Sequence, residues 1–177
     1  MKKTYKKFHE IQLLFFFIVT IFVSMESKPS ELTLQLRPTL TLEIAQKIAQ
    51  ACELKQGENK RVPVTIAIFD GGANLVLFHR MTGASLGSVT VAMEKGRSAA
   101  NFPVATGQWG DYTFGEQGSP GIAFLPNIIT IPGGVPIVTP NGDHIGGVGV
   151  SGSSGGDDEA CALAGLTAVK QHLITVP

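Results

Sequence analysis

Thr41 precedes the first stretch with helical spacing. Leu42, Ala45, Ile48, Ala49 and Cys52 recur every three or four residues, and Glu43 puts negative charge in the first turn. The spacing predicts a helix from Leu42 to about Gly57. Val62 to Phe69 reads as a strand, Asp70-Gly71-Gly72 as a turn, and Leu75 to His79 as the hairpin partner. Gly83 and Ala84 break the chain before a second helix near Leu86 to Ala100, which Pro103 stops. Thr106 to Phe114 is expected to be short helix or irregular, and Gly115 to Pro126 reads as loop. Three strands are expected near Ile128 to Ile131, Val135 to Thr139 and Ile145 to Val150, before a last helix from Asp157 to about Leu173. Hairpin-linked strands interleaved with helices imply an α+β fold, with an antiparallel sheet covered on its faces.

The last hairpin is the densest signal. Asn141-Gly142 suits a tight turn because both residues tolerate positive φ. Ile145 to Val150 alternates bulky residues with glycine, which leaves one strand face bare enough for a backbone, a subunit or a ligand to approach. Ser151 to Gly156 then leads into Asp157, Asp158 and Glu159 at a helix start. This loop lacks the Gly-Lys-Ser/Thr ending of a phosphate cradle, and three carboxylates would repel an anion. A tight turn folding the helix back on the sheet is the expected role.

The chain has 177 residues, 44% of them hydrophobic and 16% charged, which suits one globular domain with a real core. Residues 1–27 stand apart. Lys2, Lys3, Lys6 and Lys7 precede a 13-residue apolar run from Ile11 to Val23. As helix that run rises about 20 Å, short of a ~30 Å hydrocarbon core. The pattern is that of a secretory signal peptide. A retained N-terminal anchor or a start assigned too far upstream are the alternatives, since Ser24-Met25-Glu26-Ser27 is a poor cleavage site. Residues 28–37 read as a linker and 38–177 as the folded domain, in a secreted or periplasmic protein. Beyond residue 27 the chain holds 10 basic and 12 acidic residues, a net charge of about −2 with no basic patch, which argues against nucleic-acid binding. Membrane contact is expected only if the first segment is retained. Cys52 and Cys161 belong to no CxxC pair, so structural zinc has no support. They are either small buried hydrophobes or, after export, a disulfide between neighbouring helices.

Several stretches resemble the GlcG/HbpS family, also called the haem-degrading or DUF336 family. These are LTLEIAQKI from Leu40, VPVTIAIFDGGANLV from Val62, RMTGA from Arg80, EKGRSAA from Glu94, IPGGVPIV from Ile131, and IGGVGVSGSSGGDDEACALAGL from Ile145. Together they span roughly residues 38–173. The resemblance implies a profilin-like fold, a five-stranded antiparallel sheet of order 2-1-5-4-3 with helices on its faces, in dimers that build up to octamers. Its members include secreted haem-binding proteins, cytoplasmic proteins of glycolate operons, and the C-terminal domain of a corrinoid adenosyltransferase. Haem is therefore the expected cofactor, with a corrinoid as the alternative. A threonine after the second helix is implied as a haem-iron contact, and Thr106 stands at that position. The acidic pair that some members carry on that helix is missing, since Thr90 and Met93 occupy the region.

Around Thr106 the residues offer further ligand contacts. Lys95 and Arg97 either meet haem propionates or form helix-surface or interface salt bridges. Phe102 and Trp109 either clasp a macrocycle or pack in a core or interface. His79, at the end of its strand, is the imidazole best placed as a metal ligand. His144 and His172 read as surface residues, and Ser151, Ser153 and Ser154 lack a nucleophile elbow. The leading expectation is an exported, oligomeric haem- or tetrapyrrole-binding protein for scavenging or sensing. An enzyme of haem breakdown or of small hydroxy-acid or ring-compound metabolism is the second. A structural module whose glycine face packs subunits is the third.

Overall fold

The computed structural model describes residues 37–58 and 62–173. The expected signal or anchor segment 1–27, and the linker up to residue 36, lie outside the described residues. The elements are α1 (Leu42–Gly57), β1 (Thr65–Asp70), β2 (Leu75–Arg80), α2 (Leu86–Asn101), α3 (Thr106–Phe114), a 3-10 turn (Pro120–Phe124), β3 (Gly134–Val138), β4 (His144–Ser151), α4 (Gly155–Val169) and a closing 3-10 turn (Lys170–His172). Thr41 caps α1 by accepting the Ile44 N–H at 3.3 Å, and Ser154 caps α4 by accepting the Asp157 N–H at 3.2 Å. No helix among the described residues is long and apolar enough to cross a membrane.

The sheet is antiparallel in the order β2-β1-β4-β3, with four strands where five were expected. The strand that does not form is Ile128 to Ile131; deleting it from the expected order yields the observed one. Its backbone groups are drawn to helices instead. The Ile129 N–H reaches Ser98 Oγ on α2, Thr130 O lies against Gly110 on α3, and Ile131 O accepts the Thr106 hydroxyl. Asn127, at φ 59°, turns the chain immediately before it. β3 therefore becomes an edge strand, where Pro136 is tolerated because no ladder donor is required on the open side.

Two layers cover the sheet. On one face Ile66, Ile68, Val148, Val150 and Ile137 pack with Ala45, Ile48 and Ala49 of α1 and with Ala162 and Val169 of α4. Cys52 and Cys161 join these two helices as a disulfide across 109 residues of chain. Gly165 lets them approach, since a side chain there would begin 2.6 Å from Ile48 O. On the other face Ala67 and Phe69 meet Ala92 and Ala100 of α2.

The bare glycine face of β4 lies on this second side, and the chain's own α2 fills it. A Cβ at Gly149 would run into Ala92 O and the Gly96 backbone, and one at Gly147 into Ala100 N and Ala99 C. Small residues at 92, 96, 99 and 100 on the helix and at 147 and 149 on the strand bring backbone against backbone. The expected use of this face for subunits is thus corrected, because it is occupied within the protomer.

This packing makes stability sensitive at some positions and indifferent at others. Gly149→Val is expected to cost at least the ~1–3 kcal/mol of ordinary overpacking, because its neighbours are backbone atoms that cannot rotate away. Gly156→Ala meets open space and is expected to be neutral or stabilising, and unfolding both variants in denaturant checks the contrast. Replacing both cysteines by serine is expected to cost about 2–5 kcal/mol, checked by thermal melting with and without reductant on the parent chain.

Candidate functional site

Lys95 sits on the small-residue stripe of α2 and is 1% exposed. A buried ammonium must be paired, and its Nζ donates to Asp158 Oδ2 and to Val150 O, both at 2.9 Å. Asp158, 2% exposed in the first turn of α4, also accepts the Ser153 N–H at 3.0 Å. This contact passes beside β3 from one helical layer to the other. Gly133 makes room for it at φ 120°, since a Cβ there would lie 2.8 Å from both Lys95 Nζ and Asp158 Cβ.

One residue further on, Gly134 donates its N–H to Thr106 Oγ1 at 2.8 Å, and that hydroxyl donates to Ile131 O at 2.7 Å. Thr106 is fully buried. Its oxygen therefore clips the start of α3 to the strand entry. The expected iron contact at Thr106 and the expected propionate contact at Lys95 do not fit this geometry, because both polar atoms are spent inside the fold. Arg97 is turned away as well. At about 100° per residue it lies roughly 160° round α2 from Lys95. Its guanidinium stacks over Phe69 at 5.4 Å and pairs with Glu94 at 2.9 Å. The two cations expected to converge on one ligand face opposite sides of the helix.

What the structure does assemble is aromatic. Phe102 meets Trp109 edge to face at 5.6 Å, and Trp109 meets Tyr112 the same way at 5.7 Å. The arm formed by α3 and the following 3-10 turn also carries Phe114 and Phe124 at 68% and 88% exposure, with Leu125 and Ile131 about half exposed. Trp109 Nε1 is buried without a hydrogen-bond partner.

His79 lies at the far edge of the sheet, on β2, whereas Thr106 binds beside β3. Three strand spacings separate these edges, about 14 Å, so the two metal candidates cannot share one ion. The His79 ring is held by Glu53 through Nδ1 at 3.0 Å, a carboxylate–imidazole pair that sequence reasoning did not anticipate. His144, expected at the surface, is half buried with Nε2 2.9 Å from Ala99 O, and ties the start of β4 to α2. His172 is exposed. Among the described residues no three His, Cys, Asp or Glu side chains converge on a metal-sized site.

Asp158 was also missed as a partner. A lysine on a helix stripe otherwise made of serine, alanine and glycine was the available signal, since such a position demands a buried anion. The turn Asp70 to Asn74 is a separate polar knot. Burial alone would raise the Asp70 pKa, but the Asn74 backbone and side chain and the Gly72 N–H donate to the carboxylate and hold it below its ordinary 3.8.

Comparison with known proteins agrees with this architecture. Residues 40–167 match the family described as haem-degrading protein HbpS-like. An uncharacterised 15.0 kDa protein from the dhaT–dhaS intergenic region of Citrobacter freundii is 33% identical over 135 residues, covering 72% of this chain and 90% of that protein. The crystal structure of HbpS is similar with a TM-score of 0.69 at 29% identity, over 82% of this chain and 99% of the other. The crystal structure of a PduOC–haem complex is similar with a TM-score of 0.67 at 25% identity, over 74% and 95%.

Lys95→Met alone strands the Asp158 carboxylate and is expected to cost about 3–5 kcal/mol, whereas Lys95→Met with Asp158→Leu should recover much of that loss in denaturant unfolding. Asp70, with its pKa lowered on folding, contributes stability above pH 3.8 that is lost as pH falls through the folded value. Asp70→Asn should therefore narrow the stability difference between neutral and acid pH in paired melts.

Proposed function

Because the chain belongs to the HbpS-like haem-degrading protein family, we propose that it is a haem-binding protein, exported and homo-oligomeric, that scavenges or senses haem. The observation that carries this reading is the aromatic run Phe102–Trp109–Tyr112, set on an arm with exposed apolar side chains. Flat π surface and apolar edges suit a macrocycle held by its faces. The orphaned Trp109 N–H supplies one directional donor at the same place. Thr106 and Lys95 serve that surface from beneath, as the clip and brace that hold α3 on the sheet. Bound haem would supply a redox-active iron; the chain's own residues bury the ring and orient it.

Two further features support the finer parts of the reading. The Cys52–Cys161 disulfide suits an oxidising compartment and so an exported protein. Phe114, Phe124 and Leu125 are large apolar side chains that a second copy would cover, placing haem between subunits. Haem breakdown is the second reading, favoured by the family's description, and would draw reductant and oxygen from outside the chain.

Haemin titration of the purified protein tests this proposal. The expected result is a saturable Soret shift at about one haem per subunit or per dimer, with a matching rise in mass by light scattering if haem bridges subunits. Phe102→Ala should weaken binding, at ~25 cal/mol for each Å² of apolar surface that the ring no longer shields from water. Thr106→Ala should lower the melting temperature more than it alters the spectrum, and His79→Ala should leave the spectrum unchanged. A linear, non-saturating titration would overturn the proposal. Saturable binding followed by loss of the Soret band under reductant and air would favour breakdown, and displacement by cobalamin a corrinoid.

A further inference from the structure

A propionate-bearing ring needs donors for its carboxylates, and the two cations expected to supply them are committed elsewhere. Lys95 is buried against Asp158 and Val150 O, and Arg97 is paired with Glu94 above Phe69. We infer that the indole Nε1–H of Trp109 is the donor that recognises a haem propionate on the α3 arm. This rests on the haem reading above.

Nearly all buried donors in native proteins have an acceptor, so an orphan calls for a partner outside the chain. Trp109 is an orphan of this kind: Nε1 is buried with no acceptor, and aromatic edges flank the ring at 5.6 and 5.7 Å. Those neighbours hold the ring, so the donor's direction is set before any ligand arrives. Of the two neighbours Tyr112 is 52% exposed, so a carboxylate approaches the indole from that side. Once shielded from water, a hydrogen bond to a charged acceptor is stronger than one to a neutral carbonyl.

The test compares haemin with its dimethyl ester, which keeps the ring and removes the carboxylate charge. The parent chain should bind haemin about tenfold more tightly than the ester, the worth of one charge-assisted hydrogen bond. Trp109→Phe should erase that preference while leaving ester affinity within about twofold. Trp109 is the chain's only tryptophan, so ¹⁵N-indole labelling yields a single Nε1–H resonance. Diamagnetic gallium protoporphyrin should move that resonance downfield of its position with the gallium ester. The resonance decides the matter even if Trp109→Phe fails to fold. Equal affinity of the parent for haemin and ester, or coincident resonances in the two complexes, would overturn the donor role while leaving haem binding intact. Saturable binding of neither porphyrin would overturn the haem reading and the donor role with it.

Discussion

A single ion pair, buried between two helical layers, sets the terms for the rest of this fold. Lys95 belongs to the layer on one side of the sheet and Asp158 to the layer on the other, and the two meet beside β3 at 2.9 Å. Charges taken out of water are costly, and their attraction offsets the cost only where geometry is close and the remaining valences are filled. Here Val150 O and the Ser153 N–H fill two of them. The pair can form only if nothing stands between the partners, which is why position 133 carries no side chain. The same constraint fixes the entry to β3, and through Gly134 and Thr106 the start of α3. An electrostatic requirement in the interior thus positions an arm at the surface.

The glycines of β4 make the lysine's path possible from the other side. With α2 lying backbone to backbone on the strand, Lys95 starts close to the sheet and reaches past its end. A bulkier strand would lift the helix and shorten that reach. Close packing of helix on sheet also leaves that face with no room for a macrocycle. In the haem reading proposed above, the ring is then met at the α3 arm. Failure of the fifth strand belongs to the same arrangement, because the hydrogen-bonding groups of residues 128–131 are spent on α2 and α3 and not on extending the sheet.

In that reading, recognition at this edge is aromatic before it is ionic. The cations nearest in sequence serve the interior or their own helix, and what the arm carries is π surface and exposed apolar side chains, with one buried indole N–H. Such a surface favours a flat, largely apolar ligand and reads its polar groups sparingly, in keeping with a binding role. The disulfide ties α1 to α4 one turn beyond Asp158, so the layer carrying that carboxylate is held covalently beside it.

Element types were legible in the sequence because they depend on local spacing. The stripe from Leu42 to Cys52, the Asn141-Gly142 turn and the β-branched runs each name their structure without reference to distant residues. The motif resemblance extended this to the family, and the glycine alternation of β4 announced a close approach, although it could not say what approached. Tertiary structure alone decided the partners. Lys95 and Arg97 stand two residues apart, yet one reaches Asp158 and Val150 in the interior and the other lies over Phe69 of β1 beside Glu94, because a helix turns about 100° per residue and the two leave opposite flanks of the face that meets the sheet. Whether residues 128–131 pair as a strand depended on helices well separated from them in sequence competing for the same donors and acceptors. Thr106 reads as an exposed ligand only until Gly134 and Ile131 are brought beside it. Local pattern determines which way a segment is built; the destination of each charge and hydrogen bond is settled by neighbours that only folding brings near.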